Sequence, residues 1–264
     1  MITATPTRPA PRAPIGAPPR LGVDLVVGGA CAASVSAATC WLLALPTSQV
    51  AASLVLYAVL AGLVRLTLPA AQPGPGIGPA NRITLLRATL VLPIAALAMT
   101  AMPMDARGYA WIVALSTAAM MLDGVDGRVA RRTGTSTPFG ARFDMELDAF
   151  LLIALALLLS RSGKTGSWVI LIGGLRYLFV FAGMLWPLLQ RPLPPSLRRK
   201  SVCVGQGVSL LAALAPVTPP AVASLITGMA LVGLVYSFAV DVRWLTAPEA
   251  SISRVNSCPM ISTP

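Results

Sequence analysis

The acidic residues of this chain are concentrated in one short stretch. Five of the nine acidic residues fall within 26 consecutive positions, at the ends of two apolar runs. They are Asp123, Asp126, Asp144, Glu146 and Asp148. On helices, the first two aspartates (i, i+3) and the last two (i, i+4) each share one helix face. Residues 133–139 include glycine and proline, which let the chain turn back, so four carboxylates can converge on one point.

Four converging carboxylates predict a site for divalent cations. Such charges repel one another unless a cation lies between them, and oxygen ligands suit Mg²⁺ or Mn²⁺, with room in this set for two ions. The chain contains no histidine, so proton transfer falls to carboxylates, and the residues alone leave open which of the four is the base. Glu146 lies two positions from Asp144 and from Asp148, so we expect it to point away, toward a surface arginine.

The residues between the aspartates fit a nucleotide site. Gly127, Ala130 and Gly140 are small enough for close approach of a ligand, and Arg131 offers a planar donor fork that suits phosphate. Residues 123–148 read DGVDGRVARRTGTSTPFGARFDMELD. This stretch resembles the signature of the CDP-alcohol phosphotransferases, DxxDGxxARx8Gx3Dx3D, at every defined position.

The resemblance implies roles for individual residues. The metal ligands would be Asp123, Asp126, Asp144 and Asp148, and Asp148 would also be the catalytic base that takes the acceptor's proton. The CDP site would be lined by Asp123, Gly127, Ala130, Arg131 and Gly140. Upstream, residues 79–87 (PANRITLLR) resemble the segment before the first core helix of the family. There Asn81, Thr84 and Arg87 would contact substrate, or else Asn81 or Thr84 caps a helix and Arg87 snorkels to headgroups.

The composition predicts an integral membrane protein. Of 264 residues, 56% are hydrophobic and 11% charged, with a mean hydropathy of +0.77, which is far from the values of soluble domains. Eight apolar runs have the length or pattern of membrane-spanning helices. They are Leu21–Leu45, Val50–Leu68, Ile83–Met102, Tyr109–Val125, Phe143–Leu159, Ser167–Trp186, Val202–Ala215 and Ala221–Phe238. The seventh is short and ends near prolines, so a re-entrant or tilted helix is an alternative there.

The resemblance divides these helices into regions. It implies an all-α fold with a six-helix core, which is the membrane domain over residues 79–245. Residues 21–69 would supply two additional transmembrane helices outside the resemblance. A Pro/Arg-rich cytoplasmic tail (residues 1–20) and a flexible C-terminal tail (residues 246–264) complete the expected domains.

The charge distribution predicts the topology. With eight spans and a cytoplasmic N-terminus, sixteen basic residues lie inside and three outside, which is a strong positive-inside bias. Both termini and the aspartates are then expected to face the cytoplasm, in the cell (inner) membrane. The net charge of +11 does not indicate nucleic-acid binding, because the basic residues are not gathered on one soluble module.

These observations predict an enzyme of phospholipid synthesis. The expected reaction moves a phosphatidyl-type group from a CDP-linked lipid, such as CDP-diacylglycerol, to an alcohol and releases CMP. A cation- or proton-coupled transporter is the alternative from another class, but the acids lie at one membrane face instead of the midplane. An inactive scaffold of the same fold is a further alternative. A homodimer is also considered.

Basic residues outside the motif bear on the acceptor. Arg176 lies inside an apolar span, where an inward-facing role is expected, and it favours an anionic acceptor such as glycerol phosphate or inositol phosphate. The other candidate contacts are Arg142, Arg198, Arg199 and Lys200. Asp24 and Asp241 lie near span ends, where we expect them to face headgroups or pair locally, Asp241 with Arg243.

Overall fold

The structure, a computed structural model, describes residues 20–69, 76–100, 103–133, 137–191, 193–194 and 196–246. For residues 126–133 and for residue 190 it describes the backbone only. The two predicted tails therefore lie outside the described residues, apart from Arg20 and Thr246. Cys258 also lies outside them.

Eight α-helices make up most of the described chain, which contains no β-strand. They are α1 (Leu21–Leu43), α2 (Ser48–Thr67), α3 (Pro79–Thr100), α4 (Ala106–Thr133), α5 (Pro138–Arg161), α6 (Ile170–Leu185), α7 (Leu197–Leu214) and α8 (Pro220–Thr246). Short 3₁₀ helices precede α6 (Ser167–Val169) and follow it (Pro187–Gln190). The prediction of an all-α fold is confirmed.

Prolines mark several helix ends. Pro79, Pro138 and Pro220 occupy the first positions of α3, α5 and α8, where the absent N–H group has no helical partner to lose. Helix α6 ends two residues before Pro187, and α7 ends two residues before Pro216, as expected for a residue that cannot continue a helix. The helix that corresponds to the seventh predicted run is α7, and it begins at Leu197, five residues before the predicted Val202.

Six of the helices are long and apolar enough to cross a membrane. They are α1, α2, α3, the segment Ala106–Val125 of α4, the segment Ser167–Leu185 and α8. Helix α5 carries Asp144, Glu146 and Asp148 in its first half, and α7 begins with three basic residues, so their charge keeps both outside this set. The chain is a multi-pass helical membrane protein, and the full count of eight crossings stays a prediction.

The chain forms two compact units. The first comprises Met1–Ala96 and Thr117–Leu147. Within it, α1 and α2 pack as a hairpin, and the Tyr57 hydroxyl donates a hydrogen bond to the carbonyl of Leu25 at 2.5 Å. A side chain at Gly28 would collide with that hydroxyl, since its Cβ atom would lie 2.5 Å away. The tyrosine thus fixes α1 against α2.

The second unit comprises Leu97–Ser116 and Asp148–Pro264. Helices α7 and α8 pack along each other within it. Lys164, in the loop after α5, donates from Nζ to the carbonyls of Ala213 (3.3 Å) and Ala215 (2.6 Å), so it caps the C-terminus of α7. Burial lowers the pKa of the Lys164 amine, because desolvation disfavours its charged form.

Candidate active site

The aspartate motif lies on two helices, as its spacing predicts. Helix α4 continues without interruption through Asp123 and Asp126 to Thr133, and α5 begins at Pro138, before Asp144. The side chains of residues 126–133 lie outside the described part of the chain. The roles expected for Asp126, Gly127, Ala130 and Arg131 therefore stay predictions.

Arg87 joins the two halves of the motif. Its side chain is 1% exposed, and its Nη1 atom donates to Oδ1 of Asp123 at 2.7 Å and to Oδ1 of Asp144 at 2.5 Å. The snorkelling interpretation of Arg87 is therefore wrong. We call these three residues the Arg87 cluster. The formal charges of these three residues sum to −1, which favours the binding of a further cation.

Asp148 adds a third carboxylate. It follows Asp144 by one turn of α5, and one oxygen from each of Asp123, Asp144 and Asp148 lies within 4.8 Å of the others. Neighbouring octahedral ligands about 2.1 Å from Mg²⁺ lie about 3.0 Å apart, so these oxygens need to approach one another by at most about 1.8 Å to share one ion. Each carboxylate has two oxygens. These residues therefore fit a hard divalent cation.

The first turn of α3 faces the beginning of α5. Asn81 is buried and donates from Nδ2 to the carbonyl of Ile77 at 2.7 Å. A Cβ atom at Gly140 would lie 2.5 Å from Oδ1 of Asn81, so only glycine allows this approach. The structure thus brings together two predicted site residues. Thr84, also buried, donates to the carbonyl of Ala80 at 3.3 Å within α3.

The basic residues at the start of α7 are engaged by an aspartate of α8. Arg198 donates to Oδ1 of Asp241 at 2.5 Å and to Oγ of Ser237 at 2.6 Å. Arg199 donates to the same Asp241 oxygen at 3.2 Å. We call these two arginines and Asp241 the Asp241 cluster. The expected pairing of Asp241 with Arg243 is wrong, because the α7–α8 packing presents α7 arginines to it.

The remaining candidate residues are more exposed. Lys200 is exposed at the start of α7, and Arg176 is half-buried in the middle of α6. Arg142 and Glu146 are both exposed on α5, one turn apart. The acceptor roles expected for Lys200, Arg176 and Arg142 stay predictions.

The pairing of Arg87 with both halves of the motif could not be predicted from local spacing. Arg87 pairs with residues 36 and 57 positions away, which no local spacing reveals. One signal was available: an arginine eight positions into a helix as apolar as α3 needs a buried counter-charge.

The fold and the site define a multi-pass helical membrane protein with an acidic cluster suited to metal-assisted chemistry on phosphates. The family model described as CDP-alcohol phosphatidyltransferase matches residues 79–240. This range includes the Arg87 cluster and Asp148 and ends one residue before Asp241. The chain belongs to the CDP-alcohol phosphatidyltransferase family. This confirms the resemblance inferred from the motif. Helices α1 and α2 lie outside the match.

Individual relatives match over a shorter stretch. Ethanolaminephosphotransferase 1 of Mus musculus is 39% identical over 83 residues, which are 29% of this chain and 21% of the mouse protein. The Homo sapiens and Pongo abelii proteins of the same name are 37% identical over 83 residues, with the same coverage. The match thus spans about a fifth of the length of these relatives. A comparison with solved structures finds no match.

Proposed function

We propose that this chain is a phosphotransferase of phospholipid synthesis that transfers a substituted phosphate group from a CDP-linked donor to an alcohol and releases CMP. The observation that carries the proposal is the meeting of Asp123, Asp144 and Asp148 within the family match. Carboxylates gathered beside a membrane need a cation or a wet polar site. The chemistry of the family, which acts on CDP-linked substrates, would explain both a bound cation and a polar site.

The aspartates would hold the metal. Asp123, Asp144 and Asp148 offer oxygen ligands, and Asp126 is expected to complete the set, with Mg²⁺ or Mn²⁺ as the ions and two as their number. Bound divalent cations neutralise phosphate charge and orient the leaving group. The net negative charge of the Arg87 cluster supports this assignment. Gly127, Ala130, Arg131 and Gly140 are proposed to line the CDP site beside Asp123.

Asp148 is proposed as the general base. It accepts the proton of the acceptor hydroxyl, whose oxygen forms a bond to the β-phosphorus of the donor. The bond from that phosphorus to the bridging oxygen breaks, and CMP leaves with the bridging oxygen. Arg87 holds Asp123 and Asp144 in place beside Asp148 during this exchange. The proton ends on the Asp148 carboxylate and passes to solvent.

Two donors are proposed. The first is a CDP-linked lipid such as CDP-diacylglycerol, with a small alcohol as the acceptor. The second is a CDP-linked ethanolamine, which is favoured by the similarity to ethanolaminephosphotransferase 1 of mouse and human. In the first case we propose an anionic acceptor, held by Arg176 with Arg142, Arg198, Arg199 and Lys200. Asp241 already neutralises part of that charge.

An assay of CMP release tests the function. Purified protein in lipid nanodiscs receives CDP-diacylglycerol with glycerol 3-phosphate, inositol phosphate, inositol or serine, and separately CDP-ethanolamine with diacylglycerol. We expect Mg²⁺- or Mn²⁺-dependent CMP release from one donor class and none in excess chelator. Release that persists in chelator would contradict the metal proposal. Absence of release from every donor, with cation transport in liposomes, would favour the transporter.

The proposed location is the cell (inner) membrane, with both termini and the aspartates facing the cytoplasm. The positive-inside bias supports this orientation. In a cysteine-free background, a cysteine at Ser136 should react with an impermeant reagent only after the cells are opened, and one at Ser162 should react in intact cells. The reverse pattern would overturn the topology. The homodimer also stays a prediction, to be tested by the mass of the protein in detergent.

A further inference from the structure

Asp24, on a helix outside the family match, binds the turn that begins the first core helix. Its carboxylate accepts a hydrogen bond from the backbone N–H of Ile77 at 3.0 Å. It also pairs with Arg82, whose Nε donates at 2.9 Å. The Asp24 side chain is only 10% exposed, so the ion pair is shielded on the aspartate side. The Asp24 carboxylate of α1 therefore binds the start of α3 and is not free to face headgroups.

The turn is shaped to receive this carboxylate. Gly76 has a φ of +72°, and a Cβ atom there would lie 2.0 Å from Oδ2 of Asp24. Gly78 also has a positive φ, of +85°. Ile77 between them is buried, with 1% of its surface exposed. Backbone of this kind favours glycine, so the sequence Gly-Ile-Gly gives the aspartate access to a backbone N–H group.

Ile77 connects Asp24 to the site. Its N–H group binds Asp24, and its carbonyl accepts the hydrogen bond from Asn81. Asn81 in turn presents Oδ1 to Gly140 at the start of α5. Asp144 follows Gly140 by one turn. A single peptide segment therefore links a carboxylate of α1 with the glycine that is expected to line the CDP site.

We propose that Asp24 is a positioning residue for the CDP site: it fixes the turn at residues 76–78, which fixes Asn81 against Gly140. The inference rests on the proposed function and assigns to α1 the role of holding the rim of the active site. Asp24 does not touch substrate. It acts on donor binding through Ile77 and Asn81, because these set the distance between the first turns of α3 and α5.

The kinetic test uses three variants. Asp24→Ala removes the acceptor for Ile77 and the ion pair, and we expect the KM for the CDP donor to rise about five-fold, the effect of one hydrogen bond, with little change in kcat. Asp24→Asn keeps an oxygen for Ile77 and should restore most of the affinity. Tyr57→Phe is the matched control, because it loosens α1 against α2 without touching the turn, and its KM should equal that of the wild type.

A double-mutant cycle tests the route through Asn81. In an Asn81→Ala background, Asp24→Ala should add less than about two-fold to the donor KM, because both changes act on one connection. Full additivity would overturn the route. An unchanged KM in Asp24→Ala alone would overturn the positioning role altogether.

Hydrogen exchange provides a readout that needs no turnover. A peptide covering residues 76–82 should exchange about ten-fold faster in Asp24→Ala, since Ile77 loses its acceptor, and at the wild-type rate in Tyr57→Phe. If the wild-type protein releases no CMP from any donor, the proposed function fails. Faster exchange confined to this peptide would then still support the link from Asp24 to the turn, and unchanged exchange would refute it.

Discussion

The Arg87 cluster and the Asp241 cluster use the same two residue types in opposite proportions. In the first, one buried arginine holds two carboxylates, and the net charge is −1. In the second, two arginines hold one buried carboxylate, and the net charge is +1. The ratio of positive to negative side chains therefore decides what each cluster can still bind. The first retains affinity for a cation, and the second for an anion.

The largest expected effect comes from removing the proposed base beside the Arg87 cluster. Asp148→Asn should lower kcat for CMP release at least about 100-fold, the range of general-base catalysis. Glu146→Gln is the matched control on the same helix, because Glu146 is exposed and two residues away, and it should retain full activity. Equal rates in the two variants would remove Asp148 from the mechanism.

A second, smaller effect concerns the balance of charge in the Arg87 cluster. Arg87→Gln removes the guanidinium that pairs with both Asp123 and Asp144. The free energy of unfolding should fall by on the order of 2 kcal/mol, between the values for exposed and for buried pairs. Because the remaining charge is more negative, Mg²⁺ should raise the unfolding temperature of this variant more than that of the wild type.

The control for that experiment comes from the Asp241 cluster. Arg198→Gln should also lower the unfolding temperature, but Mg²⁺ should raise it no more than in the wild type, because that cluster has one carboxylate. An equal response to Mg²⁺ in the two variants would show that the clusters do not differ as proposed. Thermal unfolding in detergent with Mg²⁺ and with chelator gives both values.

The smallest effect separates the two arginines of the Asp241 cluster. Arg198 binds Ser237 and Asp241, whereas Arg199 makes the longer bond to Asp241 and an exposed one to the carbonyl of Pro194. Arg198→Ala should therefore lower the free energy of unfolding by about 2 kcal/mol and Arg199→Ala by less than about 1 kcal/mol. A larger loss in Arg199→Ala would mean that the shorter bonds of Arg198 are not the stronger ones.

The sequence predicts the local part of the site well. The common face of Asp144 and Asp148 follows from helical spacing, since positions three or four apart share a face whatever the tertiary packing, whereas the approach of Asp123 depends on how α4 and α5 meet. The helices also follow, because apolar runs of that length have few other stable forms in a membrane. The starts of α3 and α5, at Pro79 and Pro138, lie four and five residues before the predicted Ile83 and Phe143.

The partners of the buried charges could not be predicted in the same way. Asp24 binds a turn 53 residues away, and Asp241 binds arginines 42 and 43 residues away. Such pairs depend on which helix faces meet, and one apolar face looks much like another in sequence. The expectation that Asp241 pairs with Arg243 failed because proximity along the chain was taken for proximity in space.

The turn at residues 76–78 also bears on how the protein can be divided. The family match begins at Pro79, so a gene fragment cut at that boundary would encode every residue of the signature. It would lack Ile77, whose carbonyl receives Asn81, and Asp24, which holds Ile77. The smallest autonomous piece of this protein should therefore start before α1, and a chimera that grafts the core onto another N-terminal hairpin must carry an acidic residue at the position of Asp24.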